Sequence, residues 1–188
     1  KIERLESVAG KQHPVMSIMP YRQLRVGAVV TGSEIYNGLI QDEFDKYVGK
    51  KVIEYGSRII KKILVPDRVA AIAKAVAELI DLGCDLILTT GGLSVDPDDV
   101  TRQGVKTIGA EVVAYGAPVL PGAMFLYAIL KGTPILGLPA CVFYHESTIF
   151  DLIFPRVLAG DRIRKTEIAE MGHGGLCLNC DRCRFPVC

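Results

Sequence analysis

Residues 85–101 read DLILTTGGLSVDPDDVT, and this stretch decides the fold. Its first six residues form a mostly apolar run that is typical of a strand buried on both faces. The pair Gly91-Gly92 predicts a sharp turn, and after the polar loop a helix is predicted to begin near Val100. A buried strand that passes through a glycine turn into a helix is the building unit of a parallel sheet covered by helices.

The same alternation continues on both sides of this stretch. Strands are predicted at 24–30, 58–65 and 85–90 and near Glu111 and Thr133, and helices at 41–55 and 67–82 and near Val100, Gly122 and Cys141. The predicted fold class is α/β, a three-layer α/β/α sandwich with a mostly parallel sheet, followed by a short Cys-rich C-terminal tail. We predict an N-terminal arm or linker over 1–22, the α/β domain over 23–160 and the tail over 161–188.

Composition narrows the functional classes. The chain has 188 residues, enough for one core and a small appendage, and a net charge of +1 that gives no overall field for DNA, RNA or an acidic membrane. Charged, Gly and Pro residues interrupt every apolar run before the ~18 residues that a membrane span needs. With no signal-peptide pattern at its start, we expect a cytoplasmic protein without nucleic-acid or membrane partners.

Three glycine-bearing loops follow predicted strands, at 31–34 (TGSE), 89–101 and 136–140 (LGLPA). Ligands of open α/β sheets bind outside the carboxyl ends of the strands, where backbone N–H groups, hydroxyls and helix N-termini can hold an anion. The alternative is that these loops are tight connections with capping residues. The predicted binding residues are Thr31, Gly32, Ser33, Thr90, Gly91, Gly92, Leu93, Ser94, Gly137, Leu138, Pro139 and Ala140.

Carboxylates lie beside this predicted anion site. Asp96, Asp98 and Asp99 would repel a phosphate unless a hard cation such as Mg²⁺ lies between them, although Asp98 or Asp99 could instead cap the next helix. Glu34 and Asp67 have the same two interpretations.

Four motifs together resemble the molybdopterin-binding domain of molybdenum-cofactor biosynthesis enzymes. They are VVTGSEIYNGLIQD at 29–42, LVPDRVAAI at 64–72, TTGGLSV at 89–95 and PVLPGAMFLYAILKGTPILGLPA at 118–140, and the last is similar to the molybdenum insertase branch. The resemblance implies that the ligand is molybdopterin or its adenylylated form, and that the Pro121-Gly122 turn lines it. By motif position, the candidate catalytic residues are Glu34, Asp67, Asp98 and Asp99, and the resemblance implies that Glu34, Asp67 and one of Asp98 or Asp99 face the metal. It also implies that molybdate is inserted with the release of adenylate, and that the chain forms a homodimer or homotrimer.

Two departures from the family pattern leave other functions open. Phe44 stands where the family has Asn, and Ala140-Cys141 replaces Gly-Asn, so a non-catalytic pterin-binding or carrier module is one alternative to a molybdopterin molybdenumtransferase. The string GGLSVDPDDVT also resembles the competence/damage-inducible branch, which implies a nucleotide pyrophosphatase as the other alternative.

Cys177, Cys180, Cys183 and Cys188 form C-x2-C-x2-C-x4-C in the tail. Four thiolates in so short a segment can complete a tetrahedral zinc site or hold an iron–sulfur cluster, and the spacing leaves both open. Free thiols or disulfides are the alternatives. Cys84 and Cys141 lie in apolar settings and are predicted to be buried packing residues.

Overall fold

The computed structural model describes residues 17–93 and 100–172. Its strands are β1 (Arg25–Thr31), β2 (Arg58–Val65), β3 (Leu86–Thr90), β4 (Glu111–Tyr115), β5 (Leu126–Leu130) and β6 (Thr133–Leu138). They form one six-stranded sheet in the order β2-β1-β3-β6-β5-β4. β1 pairs in parallel with β2 and β3, and β3 pairs in parallel with β6. The strand predicted at 58–65 is confirmed as β2, which is half-exposed and lies at one edge of the sheet.

The described residues contain six helices. They are α1 (Ser33–Tyr36), α2 (Lys50–Glu54), α3 (Val69–Asp81), α4 (Val100–Thr107), α5 (Ile149–Leu158) and α6 (Lys165–Glu170). A π-helical turn, Asp45–Gly49, precedes α2, and a 3-10 turn, Ala140–Phe143, follows β6. None of the helices in 17–93 and 100–172 has the length and apolar character that crossing a bilayer would require.

Side chains of β1 alternate between the two faces of the sheet. Val26 and Val30 join a first-face cluster with Phe44, Val48 and Val52 from the π-helical turn and α2, and with the buried face of α5. Val29 joins a second-face cluster with the buried faces of α3 and α4. Because both faces are apolar and covered, the central strands β1 and β3 are buried almost along their whole length.

The predicted helix near Gly122 is wrong, because this region forms β5. Lys131 (φ 50°) and Gly132 (φ 84°) make a two-residue turn with positive φ at both positions, which is the tight turn of a β-hairpin. β5 therefore pairs antiparallel with β6, and β4 pairs antiparallel with β5. The sheet is mixed: it is parallel from β2 to β6 and antiparallel beyond. The helix predicted near Cys141 begins later, at Ile149, after the 3-10 turn.

The packed structure includes residues on both sides of the predicted domain. The backbone N–H of Arg22 donates to the Leu158 carbonyl oxygen (2.9 Å), and its guanidinium Nη2 donates to that of Val157 (3.2 Å). Ile163 and Ile168 belong to the first-face cluster and are buried. The core of the described chain thus continues to α6, while the predicted boundaries at 22 and 160 stay predictions.

Glu167 in α6 gives the protein an acid-sensitive contact. Its carboxylate accepts from the Arg164 backbone N–H (2.9 Å) and from Arg156 Nη2 (2.6 Å), and these bonds lower the pKa of Glu167 to about 2. A lowered pKa stabilises the fold above the ordinary pKa of 4.5, and this contribution is lost as the pH falls towards 2. We expect Glu167→Gln to flatten the decline of the melting temperature between about pH 5 and pH 2. Glu170→Gln, on an exposed residue of the same helix, should leave the decline unchanged, and equal profiles for both variants would contradict the assignment.

Candidate functional site

The ends of four strands meet at one edge of the sheet. In the parallel register Val30 pairs with Thr90 and Thr90 with Leu138, while Thr31 pairs with Val65. The loops after β1, β2, β3 and β6 therefore share one rim. The connection between β4 and β5 reaches the same rim. Its flanking residues Tyr115 and Leu126 pair with each other, and Leu126 also pairs with Gly137 near the end of β6. The described parts of the loops 31–34, 89–101 and 136–140 thus lie on the same side of the molecule.

The connection after β3 runs to the opposite face of the sheet from the connections after its neighbouring strands, β1 and β6. After β1 and after β6 it packs on the first face, through Phe44 and Val142 respectively. After β3 it enters α4, whose Val105 belongs to the second-face cluster. When neighbouring parallel strands send their connections to opposite faces, a crevice opens between their carboxyl ends. The glycine turn after β3 therefore lies between two such crevices.

Asp67 orders the crevice between β1 and β3 by binding the loop after β1. Its Oδ1 accepts from the Thr31 hydroxyl (2.8 Å), and its Oδ2 accepts from the Ser33 backbone N–H (2.8 Å). No side chain caps α3, whose N-cap residue is Arg68. Of the two interpretations open to Asp67, helix cap or site carboxylate, the capping one is therefore wrong, and the carboxylate is held at the rim by the first loop.

The glycine turn presses directly against the end of β1. Gly91 has φ +86°, and a Cβ added to it would lie 2.1 Å from the Thr31 carbonyl oxygen. Gly92 has φ +57°, and its added Cβ would lie 2.7 Å from Thr101 Oγ1. The Thr101 hydroxyl donates to the Gly91 carbonyl oxygen (2.9 Å) and so ties the turn to α4. The sequence alone assigns no role to Thr101. The complete burial of this threonine in the structure reveals its role in fixing the turn.

Two threonine hydroxyls under the turn have no hydrogen-bond partner. Thr89 is 0% exposed and Thr90 is 1% exposed, and neither Oγ1 makes a hydrogen bond. Successive strand residues point to opposite faces, so Thr90 lies on the first face and Thr89 on the second. A buried hydroxyl without a partner is costly, and such groups in native proteins call for a specific explanation.

Apolar contacts fill the crevice between β3 and β6. A Cβ added to Gly137 would lie 2.8 Å from Leu93 Cδ1 and 2.7 Å from Leu126 Cβ, so Leu93 packs over the strand where a larger residue would stand. Gly122 packs in the same way against Ile149, with its added Cβ 2.4 Å from Ile149 Cγ2. Leu93 and Leu126 therefore line the β6 side of this crevice with apolar atoms.

The remaining predicted residues occupy the outer part of the rim. Pro121 accepts from the Ile149 backbone N–H (3.1 Å), which attaches its turn to the start of α5. Pro139 and Ala140 begin the 3-10 turn, and Glu34 is exposed in α1. Cys141 is half-buried and Cys84 is buried, and burial raises the pKa of both thiols, which keeps them protonated near neutral pH.

No group of three or more His, Cys, Asp or Glu side chains within 17–93 and 100–172 is placed to hold a metal ion. Glu34 and Asp67 therefore do not belong to such a group among the described residues. Ser94, Asp98 and Asp99 lie outside the described residues, as do the tail cysteines Cys177, Cys180, Cys183 and Cys188. The predicted Mg²⁺ and the predicted zinc or iron–sulfur cluster therefore stay predictions.

Arg102 is a further charged residue at this rim that the sequence did not single out as part of the site. It follows Thr101 in the first turn of α4, and its guanidinium carbon lies 4.7 Å from the centre of the Tyr115 ring. Its Nε is fully covered and has no hydrogen-bond partner. Only the three-dimensional contact with the end of β4 could reveal this arrangement.

Comparison with known proteins identifies the type of domain. The model of a family described as "Probable molybdopterin binding domain" matches residues 27–159. A CinA-like protein of Thermosipho melanesiensis is 34% identical over 83 residues, 44% of this chain and 20% of the relative. The chain thus spans about a fifth of the length of such curated relatives.

Solved structures share the fold at low sequence identity. The molybdopterin biosynthesis enzyme MoaB of Thermus thermophilus has a TM-score of 0.60 and 21% identity, covering 74% of this chain and 98% of that one. The molybdopterin biosynthesis MoeA protein of Pyrococcus horikosii has a TM-score of 0.61 and 22% identity, covering 73% and 35%. At these identities the likeness describes the fold alone.

Proposed function

The chain belongs to the family of probable molybdopterin-binding domains, and we propose that it binds a phosphorylated pterin, molybdopterin or its adenylylated form, in the crevice between β1 and β3. The observation that carries the proposal is the glycine turn at the point where the crossover connections change faces. Gly91 and Gly92 both have positive φ, and this conformation turns the chain sharply at the rim, where backbone N–H groups can meet an anion. Thr31 and Ser33, ordered by Asp67, form the facing wall.

Within this site we assign the phosphate to the glycine turn and the Thr90 hydroxyl. Thr90 lies at the end of β3, beside Gly91, and a ligand oxygen would supply the partner that its hydroxyl lacks. Because the hydroxyl is covered, the rim loops must separate slightly when the ligand enters. Leu93, Gly137, Leu138, Pro139 and Ala140, with the Pro121-Gly122 turn, would form the apolar and outer walls.

Adjacent threonines provide a matched test. Thr90→Val keeps the shape but removes the hydroxyl, and we expect it to weaken molybdopterin binding about tenfold, the effect of one hydrogen bond to a charged group. Thr89→Val removes an equally buried, unpartnered hydroxyl on the other face. It should leave binding unchanged and raise the melting temperature slightly, because an unsatisfied polar group is lost. The affinities are measured by equilibrium titration of the parent chain and the two variants with molybdopterin. Equal affinities for Thr90→Val and the parent chain would show that Thr90 does not belong to the site.

The proposed reaction is insertase-like: molybdate enters the pterin and adenylate is released, with a divalent cation assisting through Asp98 or Asp99. Support for a reaction rather than binding alone comes from the resemblance of 118–140 to the insertase branch. Incubation of the full chain with adenylylated molybdopterin, molybdate and Mg²⁺ should release adenylate, detected by chromatography. Asp98→Ala or Asp99→Ala should abolish the release. Tight pterin binding without any release would instead identify a carrier module.

A second candidate function is favoured by the CinA-like relatives, which are 34% and 39% identical to this chain over 83 and 82 residues. The resemblance of GGLSVDPDDVT to that branch implies hydrolysis of a nucleotide pyrophosphate such as ADP-ribose. The same rim would hold the pyrophosphate in place of the pterin phosphate. Turnover of ADP-ribose together with no measurable affinity for molybdopterin would favour this candidate over the first.

A further inference from the structure

Arg102 lies at the same end of the sheet as the proposed site but takes no part in the contacts described for it. It stands in the first turn of α4, next to Thr101, whose hydroxyl binds the Gly91 carbonyl oxygen. Its guanidinium lies over the ring of Tyr115, the last residue of β4, with 4.7 Å between the guanidinium carbon and the ring centre. The carboxyl end of β4 is at the same rim as that of β3, so this cation lies at the same end of the sheet as the glycine turn.

The Nε of Arg102 is a donor without an acceptor. The atom is fully covered by protein and makes no hydrogen bond, and an arginine in a protein remains charged at all ordinary pH values. The Tyr115 ring stabilises the cation through its π face, but this contact does not replace a hydrogen-bond acceptor for the Nε–H. Covering a charged donor without a partner is unfavourable, and the cost is removed when an anion supplies the missing oxygen.

Two carboxylates and one further guanidinium also lie at the described rim. Glu34 is exposed in α1, the Asp67 carboxylate faces the loop after β1, and Arg68 follows Asp67 at the start of α3. The two carboxylates would repel a phosphate. The guanidinium of Arg102 would offset this repulsion, because its planar N–H groups match the oxygens of a phosphate.

We propose that Arg102 is a specificity-determining residue that binds a phosphate or pyrophosphate group of the rim ligand through its Nε–H. The inference rests on the proposed function, because it concerns the same ligand site, but it applies equally to a pterin phosphate and to a nucleotide pyrophosphate. Binding requires the guanidinium to move slightly on the Tyr115 ring, so that the covered Nε becomes accessible to the ligand oxygen.

The test uses inorganic pyrophosphate as the probe and the full chain as the protein. Isothermal titration should show pyrophosphate binding to the parent chain, weakened about tenfold or more by Arg102→Gln. Arg102→Lys keeps the charge but lacks the Nε–H, and should bind with intermediate affinity. Lys106→Gln is the matched control, because it removes a positive charge from an exposed position one turn along the same helix. This control should bind pyrophosphate as the parent chain does.

A second measurement avoids any concern that a variant fails to fold. Arginine Nε–H groups give separate signals in ¹⁵N-correlated NMR spectra, and the Arg102 signal is assigned by its absence in Arg102→Lys. Added pyrophosphate should shift this signal in the parent chain. No shift, no pyrophosphate binding, or an equal loss of affinity in Lys106→Gln would overturn the inference. Arginine-dependent pyrophosphate binding by a chain that does not bind molybdopterin would contradict the proposed pterin ligand but not the role of Arg102.

Discussion

Replacing Gly91 with alanine should destabilise the protein and abolish ligand binding. The residue has φ +86°, and an added Cβ would lie 2.1 Å from the Thr31 carbonyl oxygen. The left-handed backbone costs about 1–2 kcal/mol for an alanine, and moving the end of β1 away from the turn adds roughly 1–3 kcal/mol. We expect the melting temperature to fall by roughly 5–15 °C for a chain of this size, which a thermal scan measures directly.

Gly83 provides the control for the Gly91 substitution. It has a similar φ of +78°, at the end of α3, but nothing lies within 4 Å of an added Cβ. Gly83→Ala should therefore cost only the backbone part, about 1–2 kcal/mol, and should leave molybdopterin affinity unchanged. If Gly91→Ala were no less stable than Gly83→Ala, the close packing of the turn on β1 would be refuted.

Asp67→Asn should weaken ligand binding by more than tenfold at a smaller cost in stability. An amide cannot accept from both the Thr31 hydroxyl and the Ser33 backbone N–H as the carboxylate does. The loop after β1 then loses its fixed position opposite the glycine turn. We expect a stability loss of about 1–2 kcal/mol from the weakened hydrogen bonds. Titration with molybdopterin and chemical denaturation measure the two effects separately.

Asp85→Asn separates the loop-ordering role of Asp67 from its effect on stability. Asp85 Oδ2 accepts from the Arg25 backbone N–H (2.8 Å), so it joins β1 and β3 at the opposite edge of the sheet. This variant should lose a comparable amount of stability while binding the ligand normally. A similar loss of affinity in both variants would show that any weakening of the β1–β3 pair impairs binding, and that Asp67 has no particular part in it.

Much of the fold could be predicted because its central elements are locally encoded. The stretches 26–30 of β1 and 86–88 of β3 are apolar, as the middle of a strand buried on both faces must be. Helix α3 shows Ile72, Val76 and Leu79 on one face, and all three are buried against the sheet. Such patterns depend only on neighbouring residues, so a single sequence reveals them.

The wrong prediction of a helix near Gly122, where the structure has β5, also has a physical cause. The sequence from Gly122 to Leu130 is an apolar run that a buried helix or a buried strand would fit equally well. The deciding signal was the Lys131-Gly132 turn, which joins β5 to β6 as a hairpin. Lysine is uncommon at positive φ, so the sequence Lys-Gly does not predict a tight hairpin turn as Asn-Gly would.

For the site, the sequence identified the rim loops but not the contacts between them. The glycine turn was predicted from residue type and position, whereas for Asp67 these left both a helix cap and a site carboxylate open. The Thr31–Asp67 bond and the Arg102–Tyr115 contact join residues far apart in the chain. Their partners depend on strand order and on the face to which each connection runs, which local pattern does not determine.

The most direct test of the proposed site is a crystal structure of the protein grown with molybdopterin. We predict the ligand at the carboxyl edge of the sheet, between the ends of β1 and β3, with its phosphate within hydrogen-bonding distance of the Gly91-Gly92 backbone. Ligand density at the opposite edge, near Asp85, or anywhere away from this turn would contradict the central claim.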